Sequence, residues 1–447
     1  MRGSRTLASS VIALGVVGVI AANQLVTTPN ALKATDSGVV QSSALYCTGL
    51  TNNAGGAPGF ISVINTSDAT RTVTANVFGL HTRNKVGSVP LTLAPHSSAN
   101  FTPSSHLKGS MFSVAAVVSG GGVVAQQVLR SDGNDGACTN GGVTQWYATG
   151  LTTRVGSSTI LSLFNPTATA AVLNIAVYST SGFAQPAAWQ GMTVAPLGMT
   201  TVNLGDQVIN QHHFGVGVTV LRGALVINAV EDNHGQVAMV PGATAPVSRT
   251  VLPQVTTAEK TASTVVVTNP SNQSASVTIH LSLKGTTVPD QQLTVSPLSS
   301  AIFAVTPNSA IPSDGEATAT ITSSTPVVVG LVTGGGHGYD TTTMPTPWHS
   351  WVLHDATGQG FGSAVVTNTG TSTVTVSVTV TRNGNTGTWQ SAVAPGTTVP
   401  LLAIATGFHT LRAATVTVTS DAATIVVGAT QVTSPAGVDP VNVLNGR

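Results

Sequence analysis

Four stretches of the chain alternate apolar and polar residues in the same phase behind an asparagine. Each begins with an apolar segment that ends in Asn: FISVIN at Asn65, ILSLFN at Asn165, TVVVTN at Asn269 and SAVVTN at Asn368. Small, turn-forming residues follow. Counting on from each Asn, positions +8, +10 and +12 are Val73, Ala75, Val77; Leu173, Ile175, Val177; Val277, Ile279, Leu281; and Val376, Val378, Val380. Polar or small residues lie between them, the period of two of a strand with one buried face. Further on, each repeat has a strand that stops at proline, at Pro95, Pro196, Pro297 and Pro395, with Leu93, Val194, Val295 or Val393 two residues earlier. A pair of apolar strands closes each repeat. The short Gly-, Ser- or Asp-bearing turn between them, as at Gly120 to Gly122 or Ser420-Asp421, predicts a hairpin.

A repeat of about 95 residues with seven or so short strands predicts an immunoglobulin-like β-sandwich, because a single sheet with one apolar face cannot stand alone in water. The expected fold class is all-β: tandem immunoglobulin-like sandwiches after an N-terminal signal or anchor helix. The expected boundaries are 1–35 for the signal peptide or anchor, 36–142, 143–246, 247–343 and 344–436 for the four sandwiches, and 437–447 for a tail.

Composition supports the strand reading and removes other classes. Val and Thr are abundant, whereas Glu occurs only at Glu231, Glu259 and Glu316. With 7% charged residues and a formal net charge of +1, the chain has no basic field for nucleic acid. A 41% hydrophobic content argues against disorder.

Arg2 and Arg5 precede the apolar run Leu7 to Ala22, which Gln24, Leu25 and Val26 extend. This is an export signal whose basic flank stays inside. Its length reads equally as a cleaved signal peptide or as an anchor at residues 7–26 on the outer face of the plasma membrane. In the oxidising compartment this implies, Cys47 and Cys138, separated by 91 positions, are expected to form a disulfide joining the two ends of the first repeat.

Chemistry-bearing residues are sparse. No nucleophile elbow, zinc-protease, phosphate-loop or dinucleotide motif occurs. The densest polar stretch, Gly334 to Asp355, holds His337, Asp340, His349, His354 and Asp355 with Trp348 and Trp351, and it is expected to be a linker plus the first strand of the fourth repeat. Trp348 and Trp351 are the candidate ligand contacts, as rings on which a sugar could stack. Asp132 to Gly136 has a calcium-loop flavour but lacks the third ligand and the closing Glu, so a turn is expected. Glu231, Asp232 and His234 are expected at a solvated boundary, and metal binding by His212-His213 is a minor alternative. No catalytic residue, metal ligand or cofactor is assigned.

The strand ending in Asn-Pro or Asn-Thr-Gly, followed by an alternating strand, resembles the cell-adhesion-related Ig-like domains of bacterial surface proteins. Across residues 40 to 435, the chain resembles the actinobacterial large secreted protein family of unknown function. The likeness rests on Tyr46-Cys47, Gly136-Ala137-Cys138, Trp146-Tyr147, LSLFNP and WQGMTVAPLGMTTVNLGD. That resemblance implies an extracytoplasmic location. The expected function is a non-enzymatic cell-envelope protein with a structural or interaction role, its partners being a cell-wall polymer, another envelope protein, or the membrane through an uncleaved N-terminus. A carbohydrate-binding array is the main rival, and an envelope hydrolase is a lesser one.

Overall fold

A computed structural model describes residues 42–445 apart from 53–57, 81–86, 130–134, 241, 258–262, 284–285, 309–310, 314–315, 336–337, 344–348, 356–360, 435–436 and 442–443. Residues 7–26, expected as an export signal or anchor, therefore lie outside the described residues. The strands belong to one compact unit, Gln41–Arg447. The fold is all-β, with antiparallel pairing throughout the described residues and one four-residue helix, α1 (Leu401–Ile404), among them.

Four hydrophobic cores follow one another along the chain, each enclosed by two sheets. The first is built from β1 (Ser42–Thr51), β2 (Phe60–Asn65), β3 (Arg71–Gly79), β4 (Gly87–Leu93), β5 (Ser98–Phe101), β6 (Met111–Ser119), β7 (Val123–Val128) and β8 (Asp135–Ala137). Its sheets run β1-β6-β3-β4 and β5-β2-β7-β8. The second uses β9 (Gln145–Thr152), β10 (Ser157–Phe164), β11 (Ala171–Ser179), β12 (Gly182–Ala184), β13 (Met192–Val194), β14 (Met199–Asn203), β15 (His212–Arg222), β16 (Val226–Asn233) and β17 (Gln236–Val240). These form β12-β11-β15-β9, with β13 on β11, and β14-β10-β16-β17.

The third core uses β18 (Val247–Thr256), β19 (Ser263–Asn269), β20 (Ala275–Leu283), β21 (Thr286–Thr287), β22 (Gln291–Val295), β23 (Ser299–Ala304), β24 (Glu316–Gly335) and β25 (Gly338–Thr343). The fourth uses β26 (Ser350–His354), β27 (Phe361–Asn368), β28 (Val374–Arg382), β29 (Asn385–Val393), β30 (Thr398–Pro400), β31 (Thr415–Ser420), β32 (Ile425–Ser434), β33 (Gly437–Val441) and β34 (Leu444–Asn445). Its sheets run β29-β28-β31-β26-β34 and β30-β27-β32-β33. The last residues, expected as a tail, thus supply two paired strands.

The alternation read from the chain is a burial pattern: all twelve +8, +10 and +12 residues are at most 3% exposed. The closing strand pairs, however, are not hairpins. β6 pairs with β1 and β3, while β7 pairs with β2 and β8, so the chain crosses from one sheet to the facing one. β15 and β16, and β31 and β32, do the same. In the third core no turn intervenes. β24 pairs with β18 and β20 through its first part and with β19 and β25 through its second. Facing sheets lie about 10 Å apart and an extended residue spans about 3.3 Å, so three residues bridge the core as readily as they turn a hairpin.

The repeated Asn and Pro marks meet in one joint. Each Asn is fully buried. Asn165 donates from Nδ2 to Thr169 O (2.7 Å) and Val194 O (3.1 Å), and its Oδ1 accepts from Thr167 N (3.0 Å) and Thr167 Oγ1 (2.7 Å). Asn65, Asn269 and Asn368 donate in the same way to Ala69, Gln273 and Ser372 and to the strand preceding the Pro turn. The residue after each Pro has positive φ: His96 52°, Leu197 49°, Leu298 52° and Gly396 68°.

The units close into a propeller-like ring in which part of the outer face of the sheets is used as well. Phe78, Met111 and Ala115 of the first unit pack on Phe164, Met199 and Val226 of the second, and Thr48 Oγ1 lies 2.6 Å from Ser162 Oγ. Thr149 Oγ1 meets Thr268 Oγ1 at 2.6 Å between the second and third units, and Ser300 Oγ donates to Tyr178 O at 2.8 Å. Thr318 Oγ1 meets Thr398 Oγ1 at 2.7 Å between the third and fourth, where the Arg249 guanidinium also donates to Thr369 O. Closure comes from Ile64 against Val352, with Gln126 Nε2 donating to His354 O at 3.1 Å. These Thr and Ser hydroxyls between units satisfy one another or a backbone carbonyl without charge.

Candidate functional site

Cys47 and Cys138 are disulfide-bonded, as their spacing predicts. Cys47 sits on β1 and Cys138 just past β8, so the bond ties the two sheets of the first core together. It points to an oxidising, extracytoplasmic environment. No helix among the described residues is long and apolar enough to cross a membrane.

Among the described residues, His349, Trp351, His354 and Asp355 do not converge as a group. Trp351 is 1% exposed, and its Nε1 donates to Ile425 O at 3.0 Å. That ring belongs to the fourth core and offers no face to a sugar, which corrects its candidacy as a ligand contact. Trp348 and His337 lie outside the described residues, as does most of Asp132 to Gly136. His354 is buried with Nδ1 2.8 Å from Thr415 Oγ1, and burial lowers its pKa to about 4. The Asp355 carboxylate accepts from Ala413 N at 2.7 Å, closing a turn. His349 is exposed.

The residues that do come together lie at one end of the second unit, around a cleft of about 410 Å³ lined by Thr152, Arg154, Val155, Ser157, Asn210, His212, Asn233 and His234. Three loops build it. The β9–β10 turn carries Arg154 and is fixed by Ser157 N donating to Arg154 O (2.8 Å) and Arg154 N donating to Thr152 Oγ1 (3.4 Å). The β16–β17 turn puts His234 (φ 55°) and Gly235 (φ 84°) at its centre, the two left-handed positions a tight two-residue hairpin requires. His234 N then donates to Gly156 O at 2.9 Å. Gly156 leaves the room: a Cβ there would lie 2.4 Å from the His234 ring.

The third loop leads into β15, where a β-bulge decides the geometry. Neighbours on a regular strand point to opposite faces. At His213 (φ 53°) the register with β9 shifts between His212 and Phe214, and the two imidazoles meet with centroids 3.5 Å apart and planes tilted by 32°. His213 is buried, and burial, then His212, lowers its pKa to about 4, against the opposing effect of a hydrogen bond with the Gly150 backbone. The His212 pKa is lowered first by burial and then by Arg154. Both rings are therefore neutral at pH 7.

Glu231 is fully buried, not solvated as expected: its Oε2 accepts from Thr152 N (3.0 Å) and Thr159 Oγ1 (3.1 Å), tying β16 to β9 and β10 beneath the cleft. Asp232, half-buried, accepts from Gly235 N at 2.7 Å, and His234 is exposed. No cluster of three metal-ligating side chains occurs among the described residues. The sequence offered His212, His213 and His234 separately. Arg154 carried no signal, because nothing local marks a turn as facing a histidine about 60 residues away.

No curated protein matches the chain. One solved structure, described as a crystal structure of a tetra-tandem repeat in the extending region of a large adhesion protein, is similar at 13% identity over 91% of this chain and 100% of that one. Its TM-score of 0.12 is too low to carry an argument. Residues 134–403, more than half of the protein, match a family model, and the chain belongs to that family, the family of unknown function DUF5719.

Proposed function

We propose that the chain is a non-enzymatic protein of the cell envelope, exported through the run at residues 7–26 and holding or spacing other components outside the plasma membrane. The observation that carries this reading is the packing of each unit on the next through part of the outer face of its sheets, with the fourth unit returning to the first. Such a body is rigid, and the disulfide suits it to the outside. The lining of the described cleft includes no carboxylate, and its Ser157 hydroxyl is donated to Asn233 Oδ1 (2.6 Å), which supports holding over turnover. In this reading the four units are immunoglobulin-like sandwiches of an actinobacterial secreted family, cleaved or anchored at the N-terminus. The partners are a wall polymer or another envelope protein, and nucleic acid is not among them. The test is cross-linking of the full chain in intact cells, together with turnover assays on glycan, ester and peptide substrates. Cross-links to wall polymer or to one envelope protein are expected. Turnover abolished by His212→Ala would overturn the reading.

A further inference from the structure

Charge is scarce in this protein, 16 Lys and Arg and 15 Asp and Glu in 447 residues, yet Arg154 opens onto this cleft beside the imidazoles of His212 and His234. None of its lining residues is acidic. The neighbouring carboxylates are engaged elsewhere, Glu231 with Thr152 N and Thr159 Oγ1, and Asp232 with Gly235 N. Arg154 is exposed and makes no ion pair among the described residues. Its loop is preformed, because Thr153 N donates to Gln211 O (2.9 Å) and Gln211 N donates to Thr153 Oγ1 (3.1 Å).

The remaining lining groups narrow the ligand. Asn210 and Asn233 supply amides and Ser157 a hydroxyl, held by its own bond to Asn233 Oδ1 (2.6 Å), and these donate and accept in the way sugar hydroxyls require. Val155 lines the cleft and is 86% exposed, and Ile209, beside Asn210, is 77% exposed. The bare Val155 side chain in the lining of a polar cleft provides an apolar surface for the C–H face of a pyranose ring. A guanidinium presents paired donors that match a carboxylate. The volume falls within the range of about 300 to 1,000 Å³ usual for small-ligand sites.

We propose that this cleft binds an acidic sugar, a uronate-type residue of a polysaccharide, with Arg154 on the carboxylate and Asn210, Asn233 and Ser157 on the ring hydroxyls. The assignment rests on the reading of the molecule as an interaction protein and names a ligand class for it. The aromatic platform common in sugar sites is replaced by the Val155 side chain, and His212, packed against His213, forms a wall of the cleft.

The test is calorimetric titration of the full chain with an oligogalacturonate, with glucose and with inorganic phosphate, for the wild type, Arg154→Gln, Asn210→Gly and the surface control Lys108→Gln. Oligogalacturonate is expected to bind saturably. Affinity should fall at least tenfold in Arg154→Gln and several-fold in Asn210→Gly, whose positive φ glycine tolerates, and should be unchanged in Lys108→Gln. Arg154 is exposed, so its substitution leaves folding intact, which an unaltered unfolding curve verifies. Binding that is as tight for glucose or phosphate, or indifferent to Arg154→Gln, would overturn the assignment. If no uronate binds while envelope cross-links persist, the ligand class is wrong and the scaffold reading stands; turnover would remove the scaffold reading alone.

Discussion

Replacing Asn165 tests whether the repeated asparagine is a clamp or merely a turn former. Its side chain makes four hydrogen bonds, two donated to Thr169 O and Val194 O and two accepted from Thr167, at a position with no solvent access. Each is worth about 0.5 to 1.5 kcal/mol net, and a buried carbonyl left unpaired costs about 1 to 3 kcal/mol. Asn165→Ala should therefore lose about 3 kcal/mol. Asn165→Asp is the sharper probe. It keeps both accepted bonds but points a carboxylate oxygen at two carbonyls, so at pH 7.5 it should be the less stable of the two variants. Burial and those carbonyls raise the new carboxyl's pKa in the fold, so the folded state binds the proton more tightly. The Asp deficit relative to wild type at the same pH should then shrink as pH falls. Guanidinium unfolding followed by tryptophan fluorescence reads this, because Trp146 and Trp189 lie in the second core. A loss below about 1 kcal/mol for Ala, or an Asp variant as stable as wild type at pH 7.5, would refute the clamp, since one or two intact bonds would already exceed that loss.

Three further outcomes are expected. Stability should fall on acidification: His213 and His354 each have a pKa of about 4 in the fold against 6.5 unfolded, so the unfolded state takes up protons first. Their contribution is complete above about pH 6.5 and is lost toward pH 4, on the order of 3 kcal/mol for each. A urea midpoint that does not drop between pH 7.5 and 4.5, or a slope unaltered in His213→Asn, would contradict this. Removing the Cys47–Cys138 bond as the double Ala variant should destabilise the first core by up to about 4 to 5 kcal/mol, and thiol alkylation of the unfolded, unreduced wild type should label neither cysteine. Gly396→Ala should cost about 1 kcal/mol from backbone conformation alone, because φ is 68° and a Cβ there meets nothing within 4 Å; an equal unfolding midpoint would contradict it.

The candidate site divides along the same line as the fold between what local pattern shows and what it hides. Glu231 and Asp232 are adjacent and point opposite ways, as strand alternation requires, but the inward position belongs to Glu231, which the core buries and satisfies. His212 and His213 break that rule only because of a bulge, which pairing with β9 defines and the residues themselves do not mark. Trp351 looked available because aromatic residues near a glycine-rich stretch suit binding; its alternation phase on β26 turns it into the fourth core.

By itself, the sequence determined the strands, their buried faces, the fourfold repeat and the cysteine pair, since each depends on residue type and a period of two. It marked the asparagines and prolines as two separate signatures. Only the tertiary structure decided that they are one joint, that the closing strands cross between sheets, and that the fourth unit returns to the first. Those outcomes depend on which backbone lies opposite which, a matter of pairing between residues far apart in the sequence. Alternation therefore fixes what is buried, while long-range pairing fixes against whom.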